Sequence, residues 1–337
     1  MRRWFWGLLL VLLVATGAAA AWVWRELTTP YYGAPTAEVF VDVPRGASSA
    51  RIARDLQSAG VLRRGLPFRL FLMRNGSARR LKAGEYRFSR PATPIEVSER
   101  LLRGDVYFVA VTVPEGLTAE ETFETVVQAA LSDLVALRAA ARRSDTIWEL
   151  DPAAPNLEGY LFPETYHLPR RAGAEQIVAA MVEQFRHVCA RLARERPPLP
   201  GWTPRRVVTL ASMVEKESAK EAERPLVASV LCNRLARGMP LGCDPTVIYA
   251  LKLAGRYDGN IRKADLEMDS PYNTYRYPGL PPGPIANPGE SSLRAALRPE
   301  RTDFLYFVSR NDGTHEFSRD YGTHARAVAH FQAGGRR

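Results

Sequence analysis

The stretch R-R-V-V-T-L-A-S-M-V-E-K-E-S-A-K-E-A-E-R-P-L-V-A-S-V-L-C-N-R, Arg205–Arg234, decides how the rest of the chain must be arranged. Val207, Leu210, Ala211 and Val214 recur at helical spacing, so they form an apolar stripe that faces a core. At roughly 100° per residue, Ser218 falls on that stripe and Glu217 on its flank beside Leu210. Glu215 falls on the opposite flank, and Lys216 points to solvent. Pro225 suits the first turn of a second helix, which puts the end of the first near Glu221. A carboxylate in that last turn, against apolar surface, meets desolvation and the negative helix end, and both disfavour its ionised form. A carboxylic acid kept protonated near neutral pH is what cleavage of a glycosidic bond requires. The plain alternative is a solvated E-K-E run on a helix surface.

Around this stretch lie 337 residues, room for two globular units, with the 46% hydrophobic and 24% charged content of an ordinary globular protein. The net charge of +10 suits an acidic partner. That charge is mostly Arg scattered along the chain, with no basic run interleaved with aromatics, so no nucleic-acid partner is expected. Cys189, Cys232 and Cys243 lack metal-ligand spacing and cannot all pair; buried free thiols or a Cys232–Cys243 disulfide are the options. His315 and His324 read as polar groups of a packed strand–helix corner, and no motif calls for a metal or a cofactor.

At the N-terminus, Arg2 and Arg3 precede an uncharged apolar run from Trp4 to Trp24, bounded by Arg25 and Glu26. Its length suits a single bilayer span with Trp4, Trp6, Trp22 and Trp24 at the interfaces and the arginines in the cytoplasm. A cleaved signal peptide is the rival, since the small residues Gly17–Ala21 offer an A-x-A site. Either reading exports the remainder. Leu27–Ala37 reads as a linker. Next, Val39, Val41 and Val43 alternate as a strand, Pro44-Arg45-Gly46 turns it, and Ser48 or Ser49 caps a helix carrying Ile52, Ala53 and Leu56. A helix from Leu66 to Met73, a strand entered through Lys82–Phe88 and a helix from Pro94 to Leu102 ended by Gly104 complete the unit. Strand, helix, helix, strand resembles a LysM-like module, a fold associated with N-acetylglucosamine-containing chains; a small spacer domain is the other reading.

Val109–Val113 is another strand, and V-P-E-G-L-T after it echoes the earlier V-P-R-G-A-S. A helix starts near Ala119, and the chain stays helical to about Leu150. Asn156–Tyr166 (N-L-E-G-Y-L-F-P-E-T-Y) alternates aromatics and acids in a turn, as sugar sites do, or is a tight loop whose tyrosines pack. A helix over Ala174–Arg194 and the Pro-rich Arg196–Pro204 lead into the opening stretch. Beyond it, Pro225–Leu235 is a helix stopped by Gly238, and the prolines of Gly279–Gly289 fix the path of a rigid loop. Ser291–Leu297 is a helix, Phe304–Val308 a strand, and a last helix contains His324.

Ala211–Ser218 (A-S-M-V-E-K-E-S), Asn233–Leu235 (N-R-L), Gly238–Leu241 (G-M-P-L), Asp244–Tyr249 (D-P-T-V-I-Y), Tyr272–Tyr275 (Y-N-T-Y), Gly279–Ile285 (G-L-P-P-G-P-I) and Leu305–Val308 (L-Y-F-V) stand in this order. With Leu157–Tyr166 and Lys82–Phe88, they resemble the YceG-like (MltG-type) endolytic murein transglycosylases over nearly the whole chain. The resemblance implies an α+β protein with an N-terminal transmembrane helix, a small LysM-like α/β subdomain and a mixed α+β lytic transglycosylase domain. The corresponding boundaries are a cytoplasmic tip 1–3, the span 4–24, a linker 25–37, the LysM-like part 38–108 and the catalytic part 109–337. It implies a single-pass protein of the cell inner membrane, its catalytic domain outside the cytoplasm. Its partners would be peptidoglycan glycan strands, the membrane and peptidoglycan synthases of the elongation or division machinery.

The second acid of the family's E-K-E-[S/T] motif is catalytic, which here is Glu217. Ser218, Asn233, Asp244, Thr246, Tyr272, Asn273, Thr274 and Tyr275 would bind substrate, with Glu158, Glu164 and Tyr166 on the other wall. Cys232 and Cys243 depart from the pattern. The implied reaction cuts the β-1,4 bond between N-acetylmuramic acid and N-acetylglucosamine of nascent strands, leaves 1,6-anhydro ends and terminates strand growth. A lysozyme-like muramidase and a non-catalytic tethered peptidoglycan-binding scaffold are the alternatives.

Overall fold

Alternating valines make the first strand, β1 (Val39–Val43), and its inward residues Val41 and Val43 are buried. In the computed structural model, which describes residues 2–142, 144–195 and 200–332, the chain divides into two units, Met1–Phe108 and Val109–Arg337. Met1 and residues 196–199 of the Pro-rich connector lie outside the described residues.

The first unit opens with α1 (Arg2–Thr28), long and apolar enough from Trp4 onward to cross a membrane. It runs past Trp24 through four residues expected to be linker, because Leu27 is buried. After β1, Gly46 turns at φ +76° and Ser48 accepts a hydrogen bond from the Arg51 N–H, which starts α2 (Ser49–Ser58). Then come α3 (Gly65–Arg74), β2 (Gly84–Phe88) and α4 (Pro94–Arg103). A reciprocal Thr93–Glu96 capping box opens α4, and left-handed Gly104 closes it. β2 pairs antiparallel with β1, Val41 opposite Tyr86. The core joins Tyr86 and Phe88 to Ile52, Leu56, Phe68, Leu72, Val97 and Leu101.

The second unit repeats the same opening. β3 (Val109–Thr112) leads through Gly116, again at φ +76°, to a Thr118–Glu121 capping box on α5 (Ala119–Gln128). α6 (Leu134–Ala141) follows, and β4 (Thr165–Leu168) returns antiparallel to β3, with Val111 opposite Tyr166. The remaining helices are α7 (Ala174–Glu195), α8 (Pro204–Glu217), α9 (Arg224–Ala236), α10 (Asp244–Leu253) and α11 (Glu290–Leu297). The β5 (Tyr306–Ser309) and β6 (His315–Ser318) hairpin and α12 (Tyr321–Gln332) complete it. His315 pairs with Glu223 at 2.7 Å, and His324 stacks on Tyr306.

The expected one-sided stripe on α8 is corrected here: every residue from Val207 to Val214 is buried. α8 is the central helix, packed against α9, α10 and α11. Its one serine, Ser212, is satisfied by donating to the Thr209 carbonyl and accepting from the Ile285 N–H. That second bond fastens the Pro-rich 279–289 loop to α8. Asn287 fastens it again by accepting from the Leu161 N–H and donating to the Leu117 carbonyl.

Candidate active site

α8 ends at Glu217, four residues before the expected stop. Ser218 takes an extended conformation (φ −127°, ψ 117°) and donates its hydroxyl to the Lys220 carbonyl, so the local bond competes with another helical turn. Glu217 therefore sits at the negative end of a buried helix. The residue is half-buried, and its carboxyl lies deep among protein atoms. Desolvation is the main cause that raises its pKa from 4.5 to about 7. The nearby Cys243 thiol, whose hydrogen bond runs to the Leu241 carbonyl, and the charge of Arg234 pull it down, and Asp244 pushes it up.

The segment that supplies Cys243 and Asp244 is held tightly. Arg234 donates through Nη1 to the Leu241 carbonyl and through Nε to the Leu305 carbonyl, both at 2.6 Å. Thr274 accepts from the Cys243 N–H at 2.9 Å, Thr246 donates to the Cys243 carbonyl at 2.7 Å, and the two hydroxyls lie 2.9 Å apart. Tyr275 donates to Asp244 at 2.6 Å, fixing that exposed carboxylate at the head of α10. Gly242 lies at φ +58°, where a side chain would be strained, and the Tyr275 ring stands in contact range of it. Glu217, Asp244, Thr246, Thr274 and Tyr275 are thus gathered around one short segment.

Farther along α10, Tyr249 donates to the buried Glu158, whose other oxygen accepts from the Ala119 N–H that heads α5. Burial raises Glu158 to about 7, against both of those bonds. The Tyr272 ring packs on Tyr249 at 4.9 Å. α10 therefore links two raised carboxyls, Glu217 through its first turn and Glu158 through Tyr249.

The other expected positions are occupied by bonds of their own. Asn233 donates to the carbonyls of Thr302 and Phe304 and so ties α9 to the approach of β5. Asn273 is fully buried and donates to the carbonyls of Leu266 and Met268. Tyr166 is buried in β4 with its hydroxyl on the Phe162 carbonyl, and Glu164 is exposed beside it. Glu215 accepts from Arg224 at 2.8 Å and from the Gly289 N–H at 2.9 Å, which makes it a buried brace.

Three neighbours of the acids are not among the expected site residues: Arg234, Tyr249 and Cys243, the last read from sequence only as a free or paired thiol and a departure from the pattern. Arg234 adjoins the quoted Asn233, and Tyr249 closes D-P-T-V-I-Y, so both stood inside noticed motifs. All three cysteines are free. Among the described residues, no group of three His, Cys, Asp or Glu side chains converges as a metal site would require.

The model of the YceG-like family matches residues 41–330. An endolytic murein transglycosylase of Bacillus subtilis is 33% identical over 319 residues, 90% of this chain and 87% of the relative. One of Streptococcus pneumoniae is 30% identical over 327 residues, 86% of this chain and 58% of the longer relative. The crystal structure of a YceG-like protein from Listeria monocytogenes is 31% identical, with a TM-score of 0.57, covering 86% of this chain and 99% of that one.

Proposed function

The chain belongs to the YceG-like family, and from that premise we propose that it is an endolytic murein transglycosylase with Glu217 as its acid–base residue. The observation that carries the assignment is a carboxyl raised to about 7 where α8 stops, next to a clamped segment bearing Asp244, Thr274 and Tyr275. Protonated Glu217 donates to the glycosidic oxygen as the C1–O bond breaks. The resulting carboxylate takes the proton of the muramic C6 hydroxyl, whose oxygen bonds to C1 and closes a 1,6-anhydro ring. No water is consumed, and an intramolecular nucleophile needs one acid–base residue rather than two. Such cuts within nascent strands would end their elongation.

Asp244 and Tyr275 stand at the exposed edge of the group and are the residues positioned to meet sugar hydroxyls. Thr246, Asn273 and Thr274 would act by holding that edge in place. The β1–α2–α3–β2 order supports reading the first unit as a LysM-like glycan-binding module. α1, with Arg2 and Arg3 before its apolar run, supports an inner-membrane anchor whose soluble part lies outside the cytoplasm.

A second carboxylate, Asp244, beside Glu217 is the feature that favours a hydrolase instead. Mass spectrometry of uncrosslinked glycan digested by the full chain separates the two. Anhydro ends are expected; reducing ends, heavier by one water, would replace the lyase with a muramidase. Glu217→Gln should abolish either product while leaving the fold and glycan binding intact, and continued turnover by that variant would remove Glu217 from the reaction.

A further inference from the structure

α3 has two apolar faces. Phe68 and Leu72 enter the core of the first unit, whereas Leu66, Leu70 and Met73 form a second stripe at i, i+4 and i+7 that is 54%, 39% and 53% exposed. Arg69 and Arg74 flank the exposed stripe. The charge along this part of the chain has one sign: between Leu56 and Gly84 stand Arg63, Arg64, Arg69, Arg74, Arg79 and Arg80, together with Lys82, and no acidic residue.

The stripe is also continuous with α1. A groove lined by Ala20, Val23, Trp24 and Leu27 on one side and by Leu70 and Phe71 on the other joins the two helices. The Arg64 guanidinium sits over the Trp22 ring at 5.5 Å, and Trp24 at the same end of α1 is exposed. Tryptophan rings with arginines alongside belong at the headgroup level of a bilayer. A short helix beside them, apolar outward and basic at its flanks, has the features of one that lies in the interface plane.

We infer that α3 is an interfacial element that seats the first unit on an anionic lipid leaflet, the one from which α1 emerges. The inference rests on reading α1 as a membrane anchor. Leu66, Leu70 and Met73 enter the acyl boundary while the surrounding arginines meet lipid phosphates. The occupant is lipid rather than a protein groove, because the exposed stripe runs into the surface of the spanning helix without a break.

The test uses the full chain in lipid nanodiscs, with a photoreactive benzophenone side chain placed in turn at Leu70, Met73, Leu10 and Arg51. Leu10 reports the anchor, and exposed Arg51 on α2 is the background. Lipid adducts at Leu70 and Met73 should exceed those at Arg51 at least tenfold when the disc contains phosphatidylglycerol. They should fall at least threefold in pure phosphatidylcholine, or when Arg74→Glu, Arg79→Glu and Arg80→Glu are combined, with Leu10 unchanged. Adducts at Leu10 with Leu70 and Met73 at background would overturn the interfacial role and leave the anchor standing. Labelling of Leu70 indifferent to lipid charge would overturn the anionic partner. Absence of adducts at Leu10 would overturn the anchor and this placement with it. In cell envelopes, protein adducts at Leu70 without lipid adducts would give the face to a protein.

Discussion

Glu217 keeps its proton near neutrality because burial strips water from its carboxyl where α8 stops. With a pKa of about 7, it holds its proton below neutrality, and kcat/KM for glycan cleavage should fall about tenfold per pH unit well above that value. The Cys243 thiol beside Glu217 favours its ionised form. Cys243→Ala should therefore move the alkaline limb to higher pH, and Cys243→Ser, a stronger donor, to lower pH. Coincident limbs in all three proteins would deny the thiol any influence. Glu158 carries the same shift into stability. Its folded pKa is raised from 4.5 to about 7, so the folded state keeps a proton that the unfolded chain releases first. This contribution is fully present below about pH 4.5 and is lost as the pH rises through 7, on the order of 3 kcal/mol. Glu158→Gln should flatten that part of the decline in urea midpoints measured from pH 4 to 8, with Glu217 responsible for a second part.

Among the elements, the first turn of α9 shows why the two acids of E-K-E have separate duties. Arg224 there binds Glu215 of α8 and Glu115 before α5, while Glu215 also accepts from the N–H of Gly289 at the head of α11. Glu215→Ala leaves the buried Arg224 charge with Glu115 alone and should cost about 2 kcal/mol in urea unfolding. The folded fraction should still cleave glycan, the reverse of what Glu217→Gln does. Helix starts were legible wherever Ser48, Thr93 or Thr118 supplied a side-chain cap, because that chemistry is local. α10 escaped notice although Pro245 marks its first turn; the β-branched Thr246, Val247 and Ile248 after it favour extended backbone, and burial overrides them. β4 was hidden because four residues between prolines carry little periodicity, and only pairing with β3 defines them. Which carbonyls would occupy Asn233, or that the Thr274 hydroxyl would clamp the Cys243 N–H, depends on partners more than 25 residues away, so no local pattern could announce them.

At the scale of the whole molecule, each unit has a buried core of its own among the described residues. Calorimetry should therefore resolve two transitions. Phe68→Ala, at a fully buried position, should weaken the first unit by about 3–5 kcal/mol and leave the second transition in place. A single transition shifted as one would mean that the units unfold together.

The strand–turn–helix corner that occurs once in each unit has met two different fates. Around Gly46 a Cβ would touch nothing within 4 Å, so that corner is a bare tip. In the second corner Gly116 is buried although Pro114 and Glu115 before it are exposed; its N–H reaches the Asn287 carbonyl, and its carbonyl accepts from Lys216, next to the acid. A peptide tag spliced in after Gly46 should consequently be carried without harm, whereas the same tag after Gly116 should silence the enzyme from a distance by prying Lys216 loose.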